Sequence, residues 1–518
     1  MAVSTRKAEV TDTARPPVAG PAADGPLRHG LQFLPFVTMT VVLALLSGRY
    51  SLWRDEAFTA KQAHMTFAQL VRALWGTHSS DAAQPLYYLL LWPWQRLVGS
   101  GEVAMRLPSL AMTVAAAWAL ARAGRRLLPS LPSSCFGLLL SLPVTVWYAI
   151  EARAYALILL LVSLHLLESV RLLRGASRTP VRLAVITLLV TAAYTVAGCA
   201  AIAAFVLVVW AWRRSRHEEG VAPPPLRSAS SALQGATLAL CLLLIGFSAV
   251  RGREAAGPEA RSPAATVAYT GYELALGRSV GFSVRELRDS SATVLARQHP
   301  STVALVGVVV LLLAGVAAQA ARGLARSGLQ RYAALAVPWL LVGLAFAGYS
   351  ILADLPLLGR HLLFVVPSMA LLLTVGLGSS SPRSIAATTA VLWLVGLVAL
   401  GGIGLSHRYD KEDFRGVVDI LARCGLAPQD VAVAAPVDGL RYYDEAFATA
   451  PELEVGRAMS LLTSGAKEAA VVDTNHFDPK GALSTGVARQ AGLQTITRTD
   501  FRIISHRPLD ACSGTTPS

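Results

Sequence analysis

The chain has 518 residues, 54% of them hydrophobic and only 15% charged, against roughly 25% charged in a typical soluble domain. Its mean hydropathy is +0.50. That composition excludes an ordinary soluble protein, and apolar runs recurring through most of the length predict an all-α polytopic membrane protein. A net charge of +14 would suit nucleic acid, but the basic residues cluster at the ends of apolar spans, where membrane topology accounts for them; no nucleic-acid partner is expected.

Residues 1–30 are rich in Pro, Ala and Gly, lack periodicity and read as a disordered tail. Arg6, Lys7, Arg15 and Arg28 precede the first span, Leu31 to Ser47, and place that tail in the cytoplasm. The apolar run starts too late for a cleavable signal. An outer loop is therefore expected at 49–103, beginning with Trp53-Arg54-Asp55-Glu56-Ala57-Phe58-Thr59. Two adjacent carboxylates at a membrane surface read either as solvated loop acids or as a catalytic base facing water within reach of lipid headgroups. Phe67, Leu70, Leu74 and Trp75 have the spacing of an amphipathic helix in the interface. The segment 85–99 carries Pro85 and Pro93 and is expected to lie along or dip into the outer leaflet without crossing.

Spans are expected at 104–123 and 133–150, turning inside at Arg125-Arg126 and emerging at Glu151-Ala152-Arg153-Ala154-Tyr155. The next span runs inward to Arg171 and Arg174. Residues 181–212 hold two short crossings that turn near Tyr194, and a further span covers 232–250. A polar outer loop, 251–300, follows. Spans at about 302–321, 331–350, 362–378 and 385–404 complete about eleven crossings, N-in and C-out. The outer loop between the second and third of these holds Arg360-His361. From 405 to 518 the composition becomes polar, with β-like runs at Val431 to Ala435, Ala469 to Asp473 and Phe501 to Ser505. A small extracytoplasmic α/β domain is expected there, with a disulfide between Cys424 and Cys512 open to it in an oxidising compartment.

There is no Gly-rich phosphate loop after a strand, no paired CxxC and no HExxH. No cofactor is therefore assigned; a divalent metal is left open but has no ligand motif. An enzyme acting outside the membrane has no nucleotide-sugar pool, so an activated donor would be lipid-linked.

Four motifs in order, WRDEAFT at 53–59, D-x-x-x-P-L-Y-Y-L-L-L at 81–91, RLPSL at 106–110 and EARAYAL at 151–157, together resemble polyprenyl-phosphate-sugar-dependent glycosyltransferases of the GT-C fold. That group includes the protein O-mannosyltransferases (glycosyltransferase family 39) and the aminoarabinose lipid A transferases, and the likeness is to its actinobacterial members. It covers most of 31–165. It is weaker later, where Gly359-Arg360-His361 through Pro367 and Lys411-Glu-Asp-Phe-Arg415 look similar to family segments. The family often carries a His two residues before the Pro-Leu-Tyr-Tyr segment; this chain has Ala83, with Asp81 as a possible substitute.

The resemblance implies transfer of mannose or another hexose or pentose from a polyprenyl phosphate to an acceptor hydroxyl on a protein, lipid or glycan, at the outer face of the cytoplasmic membrane. Asp55 would be the general base and Glu56 a neighbour that positions it or the acceptor. Adjacent carboxylates in a low dielectric are expected to push one of their pKa values up. The leaving phosphate would be met by Arg153 first, then Arg360 and Arg106. Arg106 and Arg360 read equally as interfacial anchors, and Arg153 as an ion pair with Glu151. Asp81, Tyr87, Tyr88, Glu151, Tyr155 and His361 are candidates for the substrate pocket, though Tyr is common at membrane interfaces without a ligand. One base and no second nucleophile imply inversion. The contrasting reading is a lipid or polysaccharide transporter, or a binding protein, using the same cleft without chemistry; it would call for charges in mid-span and often an internal repeat, whereas few charges fall within the spans and there is no clear repeat.

Overall fold

A computed structural model describes residues 26–509 apart from 76–83, 130, 132–136, 176–179, 219–228, 253–261, 284–285, 288–289, 329–331, 333, 354, 356, 407–408, 410 and 474–481. The N-terminal tail, Asp81 and Cys512 thus lie outside the described residues, except that helix α1 (Pro26–Leu46) takes in the tail's last five residues, 26–30. Two short surface helices follow, α2 (Arg54–His64) and α3 (Phe67–Trp75). In α3 Leu70 and Leu74, four residues apart and so on one face, are both buried. Helix α4 (Pro85–Val98) has 14 residues. At 1.5 Å per residue it spans about 21 Å, short of the ~30 Å of a bilayer core.

The long helices come next. Glu102 sits in the first turn of α5 (Glu102–Leu127) and Arg125 and Arg126 in its last turn, so both ends complement the helix dipole. Between α5 and α7 (Tyr155–Leu173), a helix expected across 133–150 is not present among the described residues. That stretch holds a 3-10 turn, Leu139–Ser141, and the six-residue α6 (Pro143–Tyr148). Pro143 has no N–H to continue a helix and opens a new one at its first position. Helices α8 (Val181–Ala193) and α9 (Thr195–Glu218) meet at Tyr194, where the sequence placed the turn. They approach so closely that a Cβ on Gly198 would lie 2.7 Å from the Thr191 hydroxyl.

Helix α10 (Ala229–Gly252) leads to α11 (Pro263–Leu276), the short α12 (Ala292–Gln298) and α13 (Pro300–Arg326). The apolar series ends with α14 (Val337–Leu352), a 3-10 segment Gly359–Val365 running into α15 (Val366–Gly378), and α16 (Pro382–Leu405). Ser381 caps α16 by accepting the Ser384 N–H, with Pro382 at its first position. Among the described residues six helices, counting Gly359–Gly378 as one, are long and apolar enough to cross a membrane, and four shorter apolar helices accompany them.

The C-terminal unit is a four-stranded sheet of order β1-β2-β4-β3, built from β1 (Val431–Ala434), β2 (Ala469–Asp473), β3 (Gln494–Arg498) and β4 (Phe501–Ser505). Strands β1 and β2 are parallel, the remaining pairs antiparallel. The parallel pair needs a crossover, supplied by α18 (Val437–Tyr443) and α19 (Val455–Thr463). Along β1 Val431 and Val433 pack against α17 (Phe414–Arg423), while Ala432 and Ala434 pack against α19. Both faces are covered, which is why the strand reads as a continuous apolar run. The edge strand β3, QTITR, was not anticipated because its polar residues hide its pairing. Cys424 is disulfide-bonded.

Helices α13 and α15 cross on two glycines. A Cβ on Gly323 would stand 1.9 Å from the Gly376 carbonyl oxygen, and one on Gly376 2.1 Å from that of Ala320; small residues at such crossings let backbones touch. Gly376→Val should therefore cost roughly 1–3 kcal/mol through overpacking, read as a lower thermal midpoint in detergent. Gly307→Ala, whose Cβ would meet nothing within 4 Å, should leave the midpoint unchanged or raise it. An unchanged midpoint in Gly376→Val would mean that the two helices are not in contact there.

Candidate active site

Trp53 is extended and α2 begins at Arg54, which puts both acids in the first turn. Consecutive helical residues point about 100° apart, so the two carboxylates diverge. Glu56 turns inward and is fully buried. Arg106 of α5 grips it with two parallel bonds, Nε to Oε1 at 2.8 Å and Nη2 to Oε2 at 2.5 Å. The other Arg106 donors go to backbone carbonyls of the preceding loop: Ser47 at 2.7 Å, Tyr50 at 2.8 Å and Ser51 at 2.9 Å. All five N–H groups of the guanidinium are thus committed inside the protein, and the side chain is 1% exposed. This corrects the expectation that Arg106 binds donor phosphate: it has no donor left to offer. Glu56 also accepts the Ala152 N–H at 2.8 Å, which ties the 151–153 turn to α2.

Asp55 points away from that pair, with its side chain a quarter exposed. Arg360 reaches its Oδ2 at 3.2 Å. Arg153 approaches from the other side, donating to the Tyr88 hydroxyl at 3.0 Å, Thr59 Oγ1 at 3.3 Å and the Asp55 carbonyl at 3.5 Å. Burial alone would push the Asp55 carboxyl upward. Arg360 foremost, then Arg153, Arg54 and Arg278, outweigh that and hold it below the ordinary aspartate value. Burial likewise acts upward on Glu56 and is outweighed by Arg106, Lys411 and the Ala152 N–H, leaving it below the ordinary glutamate value. The expectation of one raised carboxylate is overturned, because cations from several distant segments surround the pair.

The arginine at 360 is placed by its neighbours. The Gly359 N–H donates to Glu273 Oε2 at 2.5 Å, and a Cβ on Gly359 would lie 2.7 Å from that of Glu273, so only glycine lets the segment approach α11 this closely. Glu273 is in turn bound by the Arg278 Nε and, at 3.4 Å, by the Tyr148 hydroxyl. His361 Nδ1 accepts the Leu358 N–H at 3.3 Å, closing the turn that presents Arg360.

Of the remaining pocket candidates, Tyr88 meets Arg153 as described. Tyr155 is buried with its ring edge-on to Tyr148 at 4.8 Å. Tyr87 is buried, its hydroxyl 3.5 Å from Ser109, and Glu151 is buried beneath the cleft, where Oε1 accepts from Trp147 Nε1 at 2.7 Å and Lys411 at 3.2 Å. Both side chains thus have partners inside the protein. Glu273, Arg278, Thr59, Lys411 and Glu412 were not foreseen as part of the site. The one available signal was charge in an unexpected setting: Glu273 within an apolar helix and Lys411-Glu412 just past the last span. Among the described residues no group of three or more His, Cys, Asp or Glu side chains converges.

The buried pair yields a stability prediction. Arg106→Ala strips the buried Glu56 of its bidentate partner and should destabilise the protein by roughly 3–5 kcal/mol, whereas the double variant Glu56→Leu/Arg106→Met should recover part of that loss. Denaturant unfolding in detergent measures both; a double variant no more stable than Arg106→Ala would argue against a charge-pairing origin.

No protein-family model matches the chain, and no curated protein matches it. Solved structures do. The crystal structure of ArnT from Cupriavidus metallidurans in the apo state superposes with a TM-score of 0.53 at 14% identity, covering 95% of this chain and 100% of that one. The same protein bound to undecaprenyl phosphate gives 0.51 at 15% identity over 94% and 99%. At that identity the likeness is one of architecture, and it extends over nearly the whole of both chains: this is a polytopic membrane protein of the GT-C fold, with a small C-terminal sheet.

Proposed function

We propose that the chain is a membrane glycosyltransferase that moves a sugar from a polyprenyl phosphate to an acceptor hydroxyl, with Asp55 as general base and Arg153 and Arg360 receiving the leaving phosphate. The observation that carries this reading is the partly exposed Asp55 carboxylate flanked by two arginines from distant segments. The fold, shared with a protein crystallised on undecaprenyl phosphate, supports a polyprenyl-phosphate donor.

The acceptor oxygen attacks the anomeric carbon as the bond from that carbon to the phosphate oxygen breaks. The acceptor proton passes to Asp55, and the electron pair leaves with the phosphate, whose charge grows by one. Fixed guanidinium groups stabilise that growth, and a guanidinium can bind two phosphate oxygens at once. In the resting site Arg360 keeps Asp55 ionised and weakly basic. Donor phosphate competes for Arg360, and as that pairing loosens Asp55 becomes a stronger base when the proton must move. A single displacement inverts the anomeric centre. The sugar is read as mannose or another hexose or pentose, the acceptor as a protein, lipid or glycan, and the site as opening on the outer face of the cytoplasmic membrane, beside an extracytoplasmic C-terminal domain.

The test uses purified protein with polyprenyl-phosphate sugars and a panel of acceptors. Asp55→Asn should lower kcat by about 10²–10⁴-fold; equal turnover removes Asp55 from the base role. The direction of the Asp55 shift also fixes a sign. A carboxyl held below the ordinary aspartate value stays ionised into acid, so the wild-type acid limb of kcat/KM should lie below that value. Arg360→Gln, which removes the foremost lowering charge, should move the limb upward. Donor that changes leaflet without losing its sugar would assign the chain to lipid transport.

A further inference from the structure

Beyond Leu405, the end of α16, the chain returns to the base of the cleft. Lys411 enters a buried space between α2 and the 151–153 turn, its side chain 6% exposed. Its ammonium lies 3.2 Å from Glu151 Oε1 and 3.9 Å from Glu56 Oε2, and stands over the rings of Trp147 and Trp53 at 5.0 and 5.6 Å. Glu56 and Glu151 are both fully buried. Arg106 is saturated by Glu56 and three carbonyls, and among the described residues Lys411 is the cation in ion-pair contact with Glu151. Buried carboxylates need such a partner.

These two glutamates are the roots of the two sides of the cleft. Glu56 adjoins Asp55. Glu151 begins the turn in which the Arg153 N–H donates to the Glu151 carbonyl at 2.8 Å, and that turn holds the Arg153 guanidinium against Asp55, Thr59 and Tyr88. Glu412, the next residue, accepts the Arg54 N–H at 2.9 Å through Oε2 and the Ser51 hydroxyl at 2.7 Å through its carbonyl. The segment that starts the C-terminal unit therefore touches both the helix carrying Asp55 and the turn carrying Arg153.

We propose that Lys411 is a positioning residue: by balancing Glu56 and Glu151 together it sets the placement of Arg153 relative to Asp55, and links that placement to the docking of the C-terminal unit. The proposal rests on the glycosyl-transfer reading of the same site. It makes Lys411 less necessary once Glu151 is neutral, which a purely space-filling role does not.

The full-length protein, in detergent, is compared as wild type, Lys411→Met, Lys411→Arg and Lys411→Met/Glu151→Gln. Sugar transfer from polyprenyl-phosphate donors is measured together with backbone hydrogen exchange over 54–60 and 151–155. Lys411→Met should lower kcat roughly 100-fold, the scale of a displacement of about 1 Å at a reacting site, with the donor KM little changed, and should speed exchange in both segments. Lys411→Arg should keep most of the turnover. The double variant should return exchange toward wild type and raise kcat at least about tenfold above Lys411→Met, recovering half of that loss on a logarithmic scale. Wild-type kcat and exchange in Lys411→Met overturn the proposal. So does a double variant that regains slow exchange but not kcat, which would make Lys411 structural only; if Lys411→Met does not fold, Lys411→Arg and the double variant carry the same comparison. A wild type that transfers no sugar while the exchange differences persist would instead reject the glycosyl-transfer reading and leave the charge balance standing.

Discussion

The buried pair of Glu56 and Arg106 joins four segments of this molecule. One carboxylate and one guanidinium bring together the first turn of α2, the start of α5, three carbonyls of the loop leaving α1 and the amide of Ala152. Taking both charges out of water is expensive, and it is tolerated where every donor and acceptor finds a partner in good geometry. Arg106 meets that condition with five bonds. The result is a rigid floor on which Asp55 stands with its carboxylate turned to the cleft.

Above that floor the electrostatics run in one direction. Asp55 is surrounded by arginines drawn from segments nearly the whole length of the membrane region apart, and they hold it ionised against the pull of burial. In the reaction proposed above, a donor phosphate would share these cations with the Asp55 carboxylate. The supporting chain of Glu273, Gly359 and His361 shows how a short 3-10 turn can be placed to fractions of an ångström: a backbone N–H is tied to a buried carboxylate, and the absence of a side chain on Gly359 lets the two meet.

The C-terminal unit is fastened to this floor as well as to its own core. Lys61 pairs with Asp438, Arg415 with Glu102, and the Tyr443 hydroxyl accepts the Leu52 N–H. The first of these contacts falls on α2 itself and the last on the loop that leads into it, so the position of the acidic helix depends on a segment more than 350 residues later in the chain. Sequence reading treats that segment as a separate soluble domain because its composition changes at Leu405. Composition reports the solvent a segment prefers and is silent about which neighbour it touches.

The apolar helices, the short α4, the turn at Tyr194 and three of the four strands were legible in the sequence, because hydropathy, proline and periodicity act locally on each segment. So was the pairing of an acidic stretch with distant arginines, since charges placed beside apolar spans are costly and stand out. The broken stretch at 137–150 was less legible: its apolar run has the length of a span, and only its prolines and packing decide that it winds irregularly. What tertiary structure alone decided is how the two adjacent carboxylates are held apart and which arginine is spent on structure. By residue chemistry Asp55 and Glu56 are equivalent, and only the family resemblance told them apart in the sequence. They part because the helix turns by about 100° per residue and because α5 lies on the side of Glu56, where Arg106 takes it into the core and leaves Asp55 to the cleft.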